Sequence, residues 1–552
     1  MFSMRWFVIS CVGFLVFLWA QIFPGIAAVA DPSANPRVLD RASARNLALA
    51  AAADRFDVAA TDVVKLDLTH FSDGDAVGYF SKRKLSDEYD RSWEESFPTD
   101  VYRADLKLVT GDWLQLSLHM KSGKLVAWKR LESSGGVAAG AKDKASRVRE
   151  AWAELGRWGY SESDWELADP SAADGSTVFQ SRKPPLGEAR LQLAVKPGEQ
   201  LVYRFSLPQA YTDYIEHQQR LATRMSTIGY VLPEIVLFVL AIVYASSYSR
   251  HTSFKRGWFL ALLFFVLYVC FTLNMKAGFR SKSETGLPVN EHGVQSLIVV
   301  NAVILGATAL LTYFAAVGGD GLWRSMGRKL WPRWQEADYG FKVVRSMTQG
   351  YALAFVVLGA QSVILLALEP LLGSFVSSDA SQSSYNLTYP WLMPVIAWCA
   401  GLSEELLYRL FGIGLFRRWL TGAARLLLRR EPSRRTAAIL TFAAMIPPSV
   451  IWSFGHVGYP IYPVYTRVIE LTVLGLLFGW FMLRFGLMTA IFAHVTLDAV
   501  LVGSQLLFDG LPYDAYSGLF SFAMPALAGA AIWLLHRGSA GGGRARTAQP
   551  GN

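Results

Sequence analysis

The sequence predicts an all-α polytopic membrane domain of about 9–10 transmembrane helices, joined to an N-terminal extracytoplasmic α+β domain. Three observations carry this. From residue 228 onward, apolar runs of about 20 residues follow one another, each long enough to span a hydrocarbon core of about 30 Å. Residues 31–225 are instead polar and charged, with alternating stretches. Over the whole chain, 52% hydrophobic and only 18% charged residues give a mean hydropathy of +0.26, which is not the composition of a soluble enzyme.

Residues 1–30 open with Met4, Arg5 and Trp6 and continue as an apolar run. Ala28, Val29 and Ala30 before Asp31 would suit signal peptidase, so the segment reads as a signal anchor or a signal peptide; its length favours the uncleaved anchor. In residues 31–225, Ala104–Val109 and Trp113–Leu118 alternate as half-buried strands do. Ser43–Phe56 and Ala145–Trp158 read as amphipathic helices, each followed by strand-like runs that end near Leu131 and Leu207. That pattern fits a duplicated α+β unit as well as one irregular domain.

Further spans are expected near 229–248, 257–275, 296–317 and 347–371, making up a 228–380 helical region, and then near 389–416, 437–457, 466–484, 488–508 and 517–536. Residues 537–552 read as a disordered tail. The net charge of +9 resides mainly in short loops, the positive-inside pattern, and does not signal a nucleic-acid partner. Arg250, Lys255 and Arg256, then Arg324, Arg328, Lys329 and Arg333, then Arg417, Arg418, Arg429, Arg430, Arg434 and Arg435, and finally Arg537 fall on alternate connections. These sides are cytoplasmic, which leaves residues 31–225 outside a bacterial plasma membrane; Lys276, Arg280 and Lys282 on an outer loop are exceptions. Cys11, Cys270 and Cys399 all lie in apolar runs, so they make neither a disulfide framework nor a metal cluster.

Charged groups within spans are costly and need a partner or a task. They concentrate in three segments: Ser403, Glu404, Glu405 and Arg409; Trp452 and His456; His494 and Asp498. Glu405 and Arg409, four apart, share a helical face and pair. Glu404 is turned about 100° away and is free to serve as general base toward water. His494 and Asp498, also four apart, can bind a metal or steady an oxyanion, with Asp498 orienting the imidazole.

The series Glu404, Glu405, Arg409, then Trp452 and His456, then His494 and Asp498, in that order on successive spans, resembles the CPBP family. This family comprises the CAAX prenyl proteases and bacteriocin-processing enzymes, also called Abi, and includes proteins similar to CAAX prenyl protease 2 and lysostaphin resistance protein A. The likeness covers residues 389–510. It implies an intramembrane metalloendopeptidase-like core acting on a membrane-associated protein or peptide, with Glu404 and His456 activating water, His494 and Asp498 assisting, and Glu405 with Arg409 bracing. Trp452 stands where the family usually has Phe, and Leu410 where many members have Gly.

Glu404, His456 and His494 would suit zinc with an open position, and the same set suffices without a metal. The competing functions are a serine site around Ser403, a proton-coupled transporter, and a binding or immunity factor without turnover. Upright helices present a difficulty: at 1.5 Å per residue, Glu404 lies about 20 Å deep, His494 about 10 Å and His456 about 30 Å, so tilt or a bend at Pro447 and Pro448 is required. Asn386 and Thr388 fit a glycosylation triplet.

Overall fold

The computed structural model describes residues 4–24, 37–131, 143–281 and 291–547. The cleavage reading at Ala28–Ala30 and the exception at Lys282 lie outside the described residues. The first helix, α1 (Met4–Phe17), continues as a π-helical turn to Ile22. A sheet domain follows, beginning with α2 (Arg41–Phe56), β1 (Val63–Ser72), α3 (Gly74–Arg83), α4 (Ser86–Ser92), β2 (Asp100–Leu108), β3 (Trp113–His119) and β4 (Leu125–Leu131). Then come α5 (Lys144–Arg157), β5 (Trp165–Asp169), β6 (Thr177–Ser181), β7 (Arg190–Lys196) and β8 (Gln200–Ser206).

The eight strands form one antiparallel sheet in the order β1-β2-β3-β4-β8-β7-β6-β5. A helix followed by a four-stranded meander therefore occurs twice, and the two meanders meet at β4 and β8. The copies differ between their first two strands, where only the first holds α3 and α4. Asp40 caps α2 by accepting from the amides of Ala42 and Ser43. Ala44, Ala48 and Ala52, four apart, give α2 a smooth stripe that lies close on the sheet, over a core holding Leu114, Leu116 and Leu118. Each leucine so buried contributes about 1.5–3 kcal/mol.

The helical domain comprises α6 (Gln209–Ser247), α7 (Phe254–Asn274), α8 (Lys276–Ser281), α9 (Glu291–Ser325), α10 (Tyr339–Leu372), α11 (395–428), α12 (Arg434–Phe454), α13 (Tyr465–Phe485), α14 (Leu487–Phe508) and α15 (Asp514–Thr547). Among the described residues, nine helices are long and apolar enough to cross a membrane: α1, α6, α7, α9, α10 and α12 to α15. The segment expected at 389–416 is placed differently. Pro390 starts a 3-10 turn and Pro394 caps α11, so the helix begins at Val395 and runs to Leu428, with a π-helical stretch over Glu405–Gly412. Its charges keep it out of the apolar set. The last helix likewise continues past residue 536, to Thr547.

α14 is the most enclosed of the nine, with 61% of its apolar window buried against 17% for the first helix. Even that first helix is fitted to the bundle. A Cβ on Gly13 would lie 2.3 Å from the Phe355 carbonyl oxygen and one on Gly359 2.5 Å from Gly13 Cα, so the crossing with α10 admits glycine alone. Two turns beyond Gly13, Gln21 donates to Ser362 Oγ at 2.7 Å.

The two domains are joined by charge and by main chain. Arg280 on α8 reaches Asp67 of β1 at 2.6 Å, and Arg103 of β2 donates to the Arg280 carbonyl at 3.1 Å. Arg280 is thus a docking contact, which accounts for a basic residue on the unexpected side. Edge strand β1 needs a partner for its outer amides and carbonyls. Asn386 supplies one: His70 N–H donates to its Oδ1 at 2.8 Å, and its Nδ2 donates to the carbonyls of His70 at 3.0 Å and Ala380 at 2.7 Å. Asn386 is fully buried, so the expected glycosylation triplet has no accessible acceptor. Ser72 and Ser378 add a hydroxyl pair at 2.6 Å, and Ser377 donates to the Gly74 carbonyl.

In the sheet domain, burial, with smaller effects from Asp75 and Asp100, raises the Asp73 carboxyl from its ordinary 3.8 to about 6, although it caps α3 through the Ala76 amide. The folded state then binds this proton more tightly than the unfolded state. Stability from this group is greatest below pH 4, falls as pH rises to about 6, and is level above. Asp73→Asn keeps a capping oxygen without the charge. We expect its melting temperature, measured on the full chain in detergent, to match wild type near pH 4 and exceed it by a constant margin above pH 6.

Candidate active site

The site begins with a close approach of α11 to α14. A Cβ on Gly401 would lie 2.5 Å from Val495 Cγ2. One turn later the chain enters its π-helical stretch, a feature that often marks functional positions because it re-aims side chains. Glu405 then faces α14 and Glu404 faces a cavity.

Glu405 is fully buried. His494 Nδ1 donates to its Oε1 at 2.8 Å, and Arg409, on the same face, approaches the same oxygen at 3.4 Å. The Arg409 guanidinium lies 4.1 Å above the Trp452 ring and 5.4 Å from Phe478, and Phe478 stacks on His494 at 4.8 Å. A cation held between aromatic faces and a carboxylate that takes an imidazole N–H form one buried unit across α11, α12, α13 and α14.

Glu404 occupies the open side of this unit. The Trp452 indole N–H donates to its Oε2. His456 Nε2 stands 3.9 Å from Oε1 and His494 Nε2 3.8 Å from Oε2, while Asp498 Oδ2 is 3.6 Å from His494 Nε2. All four predicted catalytic residues therefore meet, and one assignment changes. The carboxylate that orients the His494 ring is Glu405, through Nδ1; Asp498 faces the other ring nitrogen, beside Glu404. His456 follows the end of α12, where its Nδ1 donates to the Trp452 carbonyl at 2.9 Å and its ring stacks on Tyr459. Its Nε2 is left as an acceptor toward Glu404. The depths counted for upright helices do not keep these side chains apart: α11 starts at Val395, nine residues before Glu404, and Glu404 still meets both His456 and His494. Pro447 and Pro448 fall inside α12, and Pro448 packs against Gly412.

These residues line a cavity of about 910 Å³. Tyr268, Phe271, Met275, Ile396 and Leu501 give it an apolar wall, and residues 378–380, 382 and 383 with His70 of β1 border it on the sheet-domain side. Ser403 lines it too, but its hydroxyl donates to the Cys399 carbonyl at 2.8 Å within its own helix, so it is not hydrogen-bonded to a base. For zinc, Glu404, His456 and His494 offer suitable donor atoms. Their placement is less suitable: one Glu404 oxygen receives the indole proton, and among the described residues no group of three or more His, Cys, Asp or Glu is arranged to hold a metal ion.

Residues 386–500 match the family model for type II CAAX prenyl endopeptidases, Rce1-like. They form an Rce1-like domain of the CPBP/CAAX protease family. No curated protein and no solved structure matches the chain. The Rce1-like domain holds every residue of the cluster just described, and with the nine apolar helices it marks an integral membrane protein.

Charge patterning alone left part of this site unread. Intramembrane charge is not confined to three segments: Glu470 on α13 is fully buried between Arg467 and Gln361, and Arg467 lines the cavity. Their i, i+3 spacing in an apolar run was the available signal. Phe478 and the donor role of Trp452 left no sequence mark, since both depend on how α12 and α13 meet α11.

Removing one member of the buried unit strands the other. Arg409→Ala should destabilise the protein by about 3–5 kcal/mol, read as lost folded yield and a lower melting temperature. Ser403→Ala removes only a hydrogen bond to the Cys399 carbonyl of its own helix, so it should leave yield and activity within about twofold of wild type.

Proposed function

We propose that the chain is an intramembrane endopeptidase that hydrolyses a peptide bond of a membrane-associated protein or peptide, with water activated by Glu404. The observation that supports this most is the meeting of Glu404, His456, His494 and Asp498 on one cavity within an Rce1-like domain. Glu404 takes a proton from water while His456 Nε2 accepts the water's other hydrogen and fixes its orientation. The hydroxide adds to the scissile carbonyl carbon, and its oxygen becomes an oxyanion. His494, protonated on both nitrogens and held by Glu405, donates from Nε2 to that oxyanion, with Asp498 balancing the imidazolium. Collapse breaks the C–N bond as Glu404 returns its proton to the leaving amine. No step requires a metal.

In this reading the protein lies in a bacterial cytoplasmic membrane, its basic loops inside and the sheet domain outside. The sheet domain then borders the active-site cavity from the outer surface, and substrates are proteins exposed on that side of the bilayer.

The test is comparative proteomics of cells carrying Glu404→Ala, His456→Ala or His494→Ala, each confirmed as folded. We expect one shared set of uncleaved envelope proteins to accumulate in all three, and turnover of a reconstituted substrate to fall about 10²–10⁴-fold. An unchanged proteome in folded variants would replace this reading with a binding or immunity role. Turnover in proteoliposomes should survive a chelator; loss on chelation with recovery on adding zinc would move the chemistry to a metal.

A further inference from the structure

The two meanders of the sheet meet along a short seam. β4 and β8 pair only as Trp128 with Leu201 and Lys129 with Gln200, and the Arg130 N–H adds one bond to the Glu199 carbonyl at 2.6 Å. Toward the start of β4, Leu125, Val126 and Ala127 lie beside β3 on one side and have no ladder partner on the other among the described residues. These three residues border a cavity of about 260 Å³. Six aromatic rings line it: Trp93 and Phe97 from the segment after α4, which only the first copy has, Trp128 from β4, and Trp158, Tyr160 and Trp165 from the second copy. Phe97 stacks on Tyr160 with 6.3 Å between centroids, and Trp128 on Trp158 with 5.8 Å. The insertion that breaks the repeat thus stands where the seam ends. Polar groups around the rings are uncommitted. Lys124 and Lys183 are exposed and make no ion pair among the described residues, and Lys183 Nζ lies 5.3 Å over the Trp93 ring. The Tyr160 hydroxyl makes no hydrogen bond among the described residues, and burial pushes it up to about 12. A second hollow of about 360 Å³ adjoins the first and shares Trp93, Ser181 and Lys183 with it. Across the two, four basic side chains, Lys124, Arg182, Lys183 and Arg190, stand against two acidic ones, Asp164 and Glu166. Both acids are already hydrogen-bonded: Asp164 accepts from the Ser163 hydroxyl at 3.3 Å and Glu166 from Gln180 Nε2 at 3.2 Å.

We propose that this part of the sheet domain binds an acidic stretch of another polypeptide in extended form, with one aromatic side chain of that stretch set among the six rings. The cavity is smaller than the about 300–1,000 Å³ that encloses a whole small-molecule ligand, and it suits one bulky side chain. Rings presented by face and by edge favour a further ring, which gains from burial and from ring contacts together. The open side of β4 offers main-chain groups to an added strand, as exposed sheet edges do for extended peptides. Unpaired lysines and arginines around both hollows attract Asp and Glu on either side of the aromatic anchor. An anionic saccharide would use the rings and the charge but not the strand edge. The chain's own connection from β4 to α5, residues 132–142, holds no aromatic residue to fill the site, so the occupant is a separate polypeptide. Nothing in this binding requires turnover, so it is tested apart from the peptidase reading.

The test uses the full chain in nanodiscs and a library of fluorescein-labelled peptides, about ten residues of Asp, Glu, Ser and Gly around one central Trp or Phe, with Kd read by anisotropy. Control libraries carry Ala at the centre or Lys in place of the acids, and oligogalacturonate is the anionic saccharide. Two variants accompany wild type. Ser181→Trp places bulk where the two hollows join, and Lys124→Glu with Lys183→Glu reverses charge at exposed positions that have no ion pair to lose. Each is checked for a wild-type melting temperature, and the charge reversal stands alone if Ser181→Trp does not fold. We expect the tightest acidic peptides with Trp or Phe to bind at least about 10-fold better than the tightest members of either control library. Ser181→Trp should abolish the preference for the aromatic centre, and the charge reversal should weaken the acidic peptides about 10-fold. A preference that survives in both folded variants, or no preference over the control libraries in wild type, would overturn the proposal. Tighter binding of oligogalacturonate, lost in the same variants, would overturn it in favour of a saccharide site.

Discussion

The arrangement depends on one buried carboxylate, Glu405. Without solvent, its charge is tolerable only because Arg409 approaches from its own helix and His494 donates from α14. Those two contacts tie α11 to α14, and Arg409 carries the tie to Trp452 on α12 and Phe478 on α13. The neighbouring Glu404 is thereby aimed at a cavity with two histidines across from it. Adjacent carboxylates thus have separate tasks, set by which side of the helix meets protein and which meets open space.

A second constraint comes from the sheet domain. Its edge strand β1 is closed by Asn386, and the same connection, from Gly373 to Pro394, leads into α11. Residues that dock the domain and residues that border the catalytic cavity are therefore interleaved: Ser378 pairs with Ser72 and lines the cavity, as does His70, whose Nε2 bonds Asp100 at 3.0 Å. The domain is a wall of the site as well as a neighbour to it.

Much of this was legible in the residues. Apolar runs located the helices, because length and hydropathy decide a span without reference to tertiary contacts, but not their ends: α6 begins at Gln209 where 229 was expected, α9 runs on to Ser325 past 317, and α10 begins at Tyr339 before 347. The i, i+4 pairs Glu405 with Arg409 and His494 with Asp498 were correctly placed on shared faces, because helical spacing is local. Which partner each group would select was not local: His494 bonds Glu405 from another helix in preference to Asp498 on its own. The start of α11 was missed because Pro390 and Pro394 delay the helix. Arg280 stood in the sequence as an unexplained exception to the charge rule, because a basic residue that docks on Asp67 looks like any loop charge. Arg467 and Glu470 were passed over because a single pair in an apolar run carries no sign that one member borders a cavity.

The central claim is the division of labour between Glu404 and Glu405, and a side-by-side measurement of Glu404→Gln and Glu405→Gln tests it most directly. Thermal unfolding and substrate turnover would be recorded on the purified full-length proteins in proteoliposomes. We expect Glu404→Gln to melt within a few degrees of wild type and to lose turnover by at least about 10²-fold. Glu405→Gln, which strands Arg409 and removes the charge behind His494, should lose folded yield and melting temperature first, with turnover falling along with them. The opposite pattern, a stable inactive Glu405→Gln beside an unstable Glu404→Gln, would contradict the assignment of base and brace.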